Sequence, residues 1–175
     1  MQPPDLSRLL LPIQDWDHIQ GPDEALHTLV EYGDYECPAC GRLYQFLEGL
    51  RRERPAQLRL AFRHYPLSGV HKQAQGAAEA AEAAGAQGKF WQMHSALFEH
   101  QGSLGSKDLI AYAEQLRLDV DRFKKELKAK TYSERVRENF RAGVQNGVFG
   151  TPGLFLNGVR HNGAIDEAAL RVSLL

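Results

Sequence analysis

EYGDYECPACGRLY, residues 31–44, carries the chain's two cysteines, Cys37 and Cys40, three positions apart where the pattern of the sequence changes period. Ahead of them, Leu26-His27-Thr28-Leu29-Val30-Glu31-Tyr32 is a β-forming run bounded by Gly33, which predicts a strand. Behind them, Leu43, Phe46, Leu47 and Leu50 recur at helical spacing from Pro38 until Pro55 ends the pattern. Cys37 therefore falls at a strand-to-helix junction with Pro38 and Ala39 at the helix start. Proline at the first helical position loses nothing, because its missing N–H would have been an orphan donor. With Cys37 as the cap residue, the amides of Ala39 and Cys40 point toward its sulfur, and the positive end of the helix dipole favours its thiolate. The thiolate is the reactive form, so Cys37 reads as a nucleophile with a pKa below the ~8.5 of a free cysteine. Cys40, one turn along and more enclosed, is placed to resolve a mixed disulfide.

Two other uses of the pair compete with this one. A structural zinc site needs four ligands, yet the chain has no second Cys-x-x-Cys, and His64 and His71 are separated by a Pro and a Gly. A purely structural disulfide that closes two intervening residues restrains the unfolded chain very little, because the entropic gain grows with loop length. Redox chemistry is the favoured use. Asp34 and Glu36 lie beside Cys37, and negative charge there opposes the helix effect. Tyr35, Tyr65 and Phe149 are candidates either for a shallow apolar surface around the sulfurs or for core packing. His94 shares a helical face with Phe90 and Leu97 and reads as a packed or rim histidine.

Outward from the pair, a second strand is expected over Leu58–Arg63, and the chain then turns helical from about Lys72 to Gly147. Ala74–Ala84 is a strong helix former. Ser106 and Asp119 are expected caps of two further helices. Tyr132, Val136, Phe140 and Val144 form a final apolar stripe. The chain returns to β at Leu154-Phe155-Leu156, turns at Asn157-Gly158, runs back through Val159-Arg160-His161, and closes with a helix over 166–175. The expected organisation is an arm over 1–24, rich in Pro and Gly, a core of 25–71 plus 148–175, and a helical insertion over 72–147.

Composition narrows the function classes. The 21 Lys and Arg nearly cancel the 22 Asp and Glu, with no long run of either sign, so a general nucleic-acid or anionic-membrane footprint is unsupported. Arg51-Arg52-Glu53-Arg54 reads as a solvated helix end. No stretch approaches the ~20 apolar residues of a membrane span, and the N-terminus lacks a basic leader, so the expected compartment is cytoplasmic, or periplasmic or extracellular if a signal has been removed.

LVEYGDYECPACGRLY together with VFGTPGLFLNG resembles the DsbA family of thiol-disulfide oxidoreductases in the thioredoxin superfamily, and FRHYPL and AAEAAGAQGKFWQMHSALFEHQ are similar to the same proteins. The resemblance implies an α/β fold with a thioredoxin-like core and an inserted helical domain. It implies that Cys37 and Cys40 are the catalytic pair, that Thr151-Pro152 is the substrate-facing loop with a cis proline, and that Glu31 is the buried acid beneath the pair, able to accept or relay the proton of Cys40. It implies exchange with protein or peptide thiols and a further redox partner, with no metal, flavin or nucleotide. A monomer is expected. Ala39 departs from the strongest oxidants of the family, which carry histidine there, and this implies a more reducing potential than theirs. Two rivals remain: a cytoplasmic reductase, and a peptide-binding redox sensor or holdase with little turnover.

Overall fold

The structure is a computed structural model, and it describes residues 5–174. Pro3 and Pro4 of the expected arm and Leu175 of the expected last helix lie outside the described residues. A five-stranded sheet is ordered β1-β3-β2-β4-β5, from β1 (His18–Gln20), β2 (His27–Gly33), β3 (Leu58–His64), β4 (Gly153–Leu156) and β5 (Val159–Arg160). β2 and β3 are parallel and joined through α1 (Pro38–Glu53), while the other pairings are antiparallel. The helical block comprises α2 (Ala74–Gly85), α3 (Phe90–Glu99), α4 (Ser106–Gln115), α5 (Val120–Lys128) and α6 (Ser133–Gln145), and α7 (Glu167–Leu174) closes the chain.

Alternation along β2 sends its side chains to two cores. Leu29 joins Leu43, Leu47 and Leu50 of α1 and Leu170 and Leu174 of α7. Val30 and Tyr32 join Tyr65, Ala142 and Phe155 on the opposite face. A third cluster packs Phe62, Cys37 and Cys40 against α2, α3, α4 and α5, so the insertion is roofed onto the end of the sheet that carries the cysteines. Each fully buried Leu or Phe in these clusters contributes about 1.5–3 kcal/mol of transfer free energy.

Three local expectations are corrected. The arm is not wholly irregular, because His18–Gln20 adds an antiparallel edge strand to β3. Three residues are too few for a pattern, and the pairing comes from a strand far along the chain. The arm is held there by Arg63, which donates to Leu11 O, Pro12 O, the Tyr32 hydroxyl and the buried carboxylate of Asp17 at 2.7 Å. Ser106 is the first residue of α4 rather than its cap: Gly105 is the cap, and its amide donates to Asp108 Oδ2 at 3.1 Å. On α6, Val144 is half exposed, and Asn139, Ala142 and Gly143 are buried with Val136. The cause is the close approach of Tyr65, whose ring would sit 2.5 Å from a Cβ at Gly143. Asp119 caps α5 by accepting from the Arg122 amide, and Asn157 and Gly158 both take positive φ in the hairpin turn, as the sequence predicts.

Candidate active site

Cys37 is the N-cap of α1, in extended backbone at φ −75°, with exposed Pro38 in the first helical position and partly buried Ala39 after it. Both cysteines are free thiols. Cys37 keeps 6% of its surface exposed and Cys40 none, so the two sulfurs differ in access as their places on the helix require. Cys37 makes no cap hydrogen bond of strict geometry through its sulfur. Its thiol is nevertheless pulled down to about 5: a hydrogen bond from the Cys40 thiol acts most strongly, burial opposes it, and the Thr151 side chain and the amides of Cys40 and Ala39 add to the lowering. Cys40 moves the other way, well above the ordinary thiol, first through burial, then because its proton is shared with Cys37 and the charges of Glu31 and Cys37 lie nearby. One sulfur is thus an anion at neutral pH and its neighbour a thiol.

Glu31 sits on the central strand between Phe62 of β3 and Leu154 of β4 and is 1% exposed. Burial, with a contribution from the charge of Cys37, pushes its carboxyl up to about 8. Its Oε1 has no hydrogen-bond partner among the described residues. Gly33, two residues on, leaves room for this carboxyl, since a Cβ there would meet Glu31 Oε1 at 2.9 Å and the Phe62 ring at 2.4 Å.

The segment before β4 closes the site from the other side. The Thr151–Pro152 peptide bond is cis, and the Cys37 thiol donates to Thr151 O at 3.4 Å. Thr151 Oγ1 is buried without a hydrogen-bond partner among the described residues, close enough to the sulfur for the Thr151 side chain to favour the Cys37 thiolate. Tyr65 anchors the approach to this loop by donating from its hydroxyl to Val148 O at 2.6 Å.

Several neighbours escape a reading of sequence. From the α3–α4 connection, Gln101 Nε2 donates to both Tyr35 O and Cys37 O at 2.8 Å, which ties the insertion to the cap residue. The carboxylate of Asp34 accepts from the amides of Glu36 and Leu67 and lies 2.7 Å from His71 Nδ1. Such partners are remote in sequence and carry no local spacing signal. Tyr35 and Tyr65 are core residues rather than surface lining, whereas Phe149 is 90% exposed two residues before Thr151. His94 is packed, with its Nδ1 3.0 Å from the Tyr35 hydroxyl. Among the described residues no three His, Cys, Asp or Glu side chains gather into a set able to hold a metal, and no helix is long and apolar enough to cross a membrane.

The surroundings of the pair agree with comparison to known proteins. A family model described as thioredoxin matches residues 14–174. The chain is 46% identical over 167 residues to a protein of Salinispora arenicola named Na(+)/H(+) antiporter NhaA 1, a match that covers 95% of this chain and 26% of that protein. The chain thus spans about a quarter of the length of the curated relatives it matches. A thioredoxin-like oxidoreductase from Silicibacter pomeroyi superposes with a TM-score of 0.78 at 26% identity, covering 91% of both chains. Oxidised BdbD from Bacillus subtilis superposes with a TM-score of 0.79 at 22% identity over 89% of both chains. By its sequence match over nearly its whole length and by a fold shared with DsbA-like thiol-disulfide oxidoreductases, the chain belongs to the thioredoxin family.

Proposed function

We propose that this protein is a thiol-disulfide oxidoreductase that acts on protein or peptide thiols through Cys37 and Cys40. The observation that carries the reading is the placement of the two cysteines: Cys37 caps α1 with its sulfur 3.4 Å from Thr151 O, and Cys40 is wholly buried one turn along, an arrangement that favours the thiolate at Cys37 and the thiol at Cys40. In the oxidising direction a substrate thiolate attacks Cys37 Sγ of the Cys37–Cys40 disulfide. The S–S bond breaks, Cys40 leaves with the electron pair, and it takes a proton from neutral Glu31. A second substrate thiolate then attacks the substrate sulfur of the mixed disulfide and expels Cys37, which leaves readily because its thiolate is stable. The substrate loses two electrons and the pair gains them. In the reducing direction the steps reverse: Glu31 first releases its own proton to solvent, then accepts the Cys40 proton, and the Cys40 thiolate attacks. Thr151 and Pro152 stand against Cys37 on the side from which an extended substrate segment would approach.

The test is oxidation of a dithiol peptide by the disulfide form, with reduction of insulin as the reverse assay. Cys37→Ser abolishes both, and Cys40→Ser accumulates a mixed disulfide with substrate. Retention of exchange by Cys37→Ser, or peptide binding by the wild type without turnover, overturns the reading in favour of a peptide-binding sensor.

A further inference from the structure

The two acids that flank Tyr35 just before Cys37 are both taken up by the segment that joins β3 to α2. Glu36 Oε2 accepts from the Gln73 amide at 2.7 Å. The Asp34 side chain is wholly buried: its Oδ1 accepts from the Glu36 amide at 2.8 Å, and its Oδ2 accepts from the Leu67 amide at 2.8 Å and meets His71 Nδ1 at 2.7 Å. A carboxylate only accepts, so Nδ1 carries the proton in that contact. The same Asp34 holds the cysteines, since its carbonyl accepts from the Cys37 amide at 3.1 Å and its own amide is directed at the Cys40 sulfur. The seat of His71 and the frame of the redox pair are therefore one residue.

We propose that His71 is a positioning residue of the cysteine pair: seated on Asp34, its imidazolium cancels the buried carboxylate beside Cys37 and supplies, from the β3–α2 segment, the positive charge that Ala39 does not. This rests on Cys37 being the exchanging sulfur. An Asp34 carboxylate left uncompensated would raise the thiol pKa of Cys37, because like charges disfavour a second anion. The groups that act on the ring are Asp34 and Glu36 of the β2–α1 turn and Cys37 itself, all anionic or able to become so. The hydrogen bond to Asp34 first, and then these charges, hold the imidazole pKa above its ordinary value, so the ring is cationic where Cys37 ionises. With about a fifth of its side chain exposed, the ring exchanges protons with water. The coupling is reciprocal: the thiolate supports the proton on His71 to the same extent that the imidazolium supports the thiolate. Closing the disulfide removes the thiolate, and the ring then binds its proton less tightly.

The experiment reads the Cys37 pKa from thiolate ultraviolet absorbance in the reduced protein, which needs no turnover. His71→Asn keeps a donor to Asp34 and removes the charge, and it is expected to raise the Cys37 pKa by roughly 0.5 to 1 unit, a three- to tenfold loss of thiolate near the wild-type midpoint. His71→Lys, which restores a cation, is expected to recover most of that shift. A folded His71→Asn whose Cys37 pKa stays within about 0.2 unit of wild type overturns the proposal and leaves His71 as a loop clamp. If His71→Asn does not fold, NMR titration of His71 in the reduced and oxidised wild type decides instead. A lower His71 pKa in the oxidised form supports the proposal, and equal values overturn it. A wild type without exchange activity overturns the oxidoreductase reading but does not move either titration.

Discussion

Glu31, on the central strand, and Glu82, on the first helix of the insertion, are both buried glutamates, at 1% and 7% exposure, and their carboxyls are pushed in opposite directions from the ordinary value. Glu82, on α2, accepts at Oε1 from His18 Nε2 at 3.0 Å and from His64 Nε2 at 2.9 Å, with Arg135 Nε at 3.9 Å. Burial alone would raise its pKa, but those two hydrogen bonds and the nearby positive charge overcome it and hold the carboxyl far below its ordinary value. Burial pulls the His64 imidazole below its ordinary value, against the opposite pull of Glu82. Glu31 has no such partners, and burial wins. The lesson is that burial sets the cost of a charge, whereas the donors within reach decide whether it is borne. Glu82 binds the arm, the sheet and the insertion together through β1, β3 and α2. Glu31 stores a proton beside two sulfurs.

The pH dependence of stability separates the two most strongly. Glu31 has a folded pKa of about 8 against an ordinary 4.5, so its proton is retained on folding, and stability is full below the unfolded value and lost as pH rises through the folded one. At 1.36 kcal/mol per unit the loss reaches roughly 5 kcal/mol. Cys37 pulls the other way, because its lowered thiol adds stability at high pH that is lost as pH falls toward about 5. The Glu31 effect is therefore read as a difference: Glu31→Gln, measured against wild type by urea unfolding of the reduced proteins, gains relative stability from pH 4.5 to 8. A constant difference across that range would show that Glu31 is ionised in the fold. The contrast with Glu82 would then fail.

Glu82→Ala attacks the other side of the comparison. It leaves the Nε2 donors of buried His64 and partly exposed His18 without their acceptor, and a destabilisation of about 3 kcal/mol is expected, the upper end of the ~1–3 kcal/mol cost of one unsatisfied buried group, with His64 the main source. The folded pKa of Glu82 is lowered, so its contribution is present above about 4.5 and lost as pH falls through the folded value. Wild type and variant should converge in acid, as thermal unfolding across pH would show. Exchange chemistry gives a smaller effect in energy. Glu31→Gln is expected to slow the step that moves the Cys40 proton by about a hundredfold, the lower end of general acid–base contributions, while the alkylation rate of Cys37 stays within a factor of a few. Rapid-mixing kinetics with a dithiol peptide separates the two. Smallest is Ala39→His, which places an imidazole beside the thiolate. One hydrogen bond to a charged sulfur, worth ~1.5–3 kcal/mol, corresponds to a shift of roughly 30 to 65 mV toward a more oxidising potential in glutathione buffers. No shift would mean that the donors already around Cys37 saturate it.

The site was only partly legible from sequence. Cys37, Pro38, Ala39 and Cys40 are a local motif, and the places it predicts for Cys37 as the cap and Pro38 as the first helical residue are those observed, without a cap hydrogen bond to the sulfur. Glu31 is separated from Leu29 and Gly33 by the period of a strand, so its face was readable, yet its neutrality depends on Phe62 and Leu154 across the sheet. Gln101 comes from the insertion and His71 from the segment after β3, well downstream in sequence, and neither contact carries a local spacing signal.

What the sequence by itself determined is whatever follows from neighbours within a turn or a pleat: the strand-to-helix junction at Cys37, the Asp119 cap, the Asn157–Gly158 turn and the order of elements after the N-terminal arm. Hydrophobic period and backbone preference act over a few residues, and the chain states them outright. Only the tertiary structure decided that His18–Gln20 is a strand, that Thr151 faces Cys37, and which of two glutamates carries a charge. Those outcomes turn on desolvation and on donors brought from distant segments, and the energy of a charge is not a property of the residue but of everything folded around it.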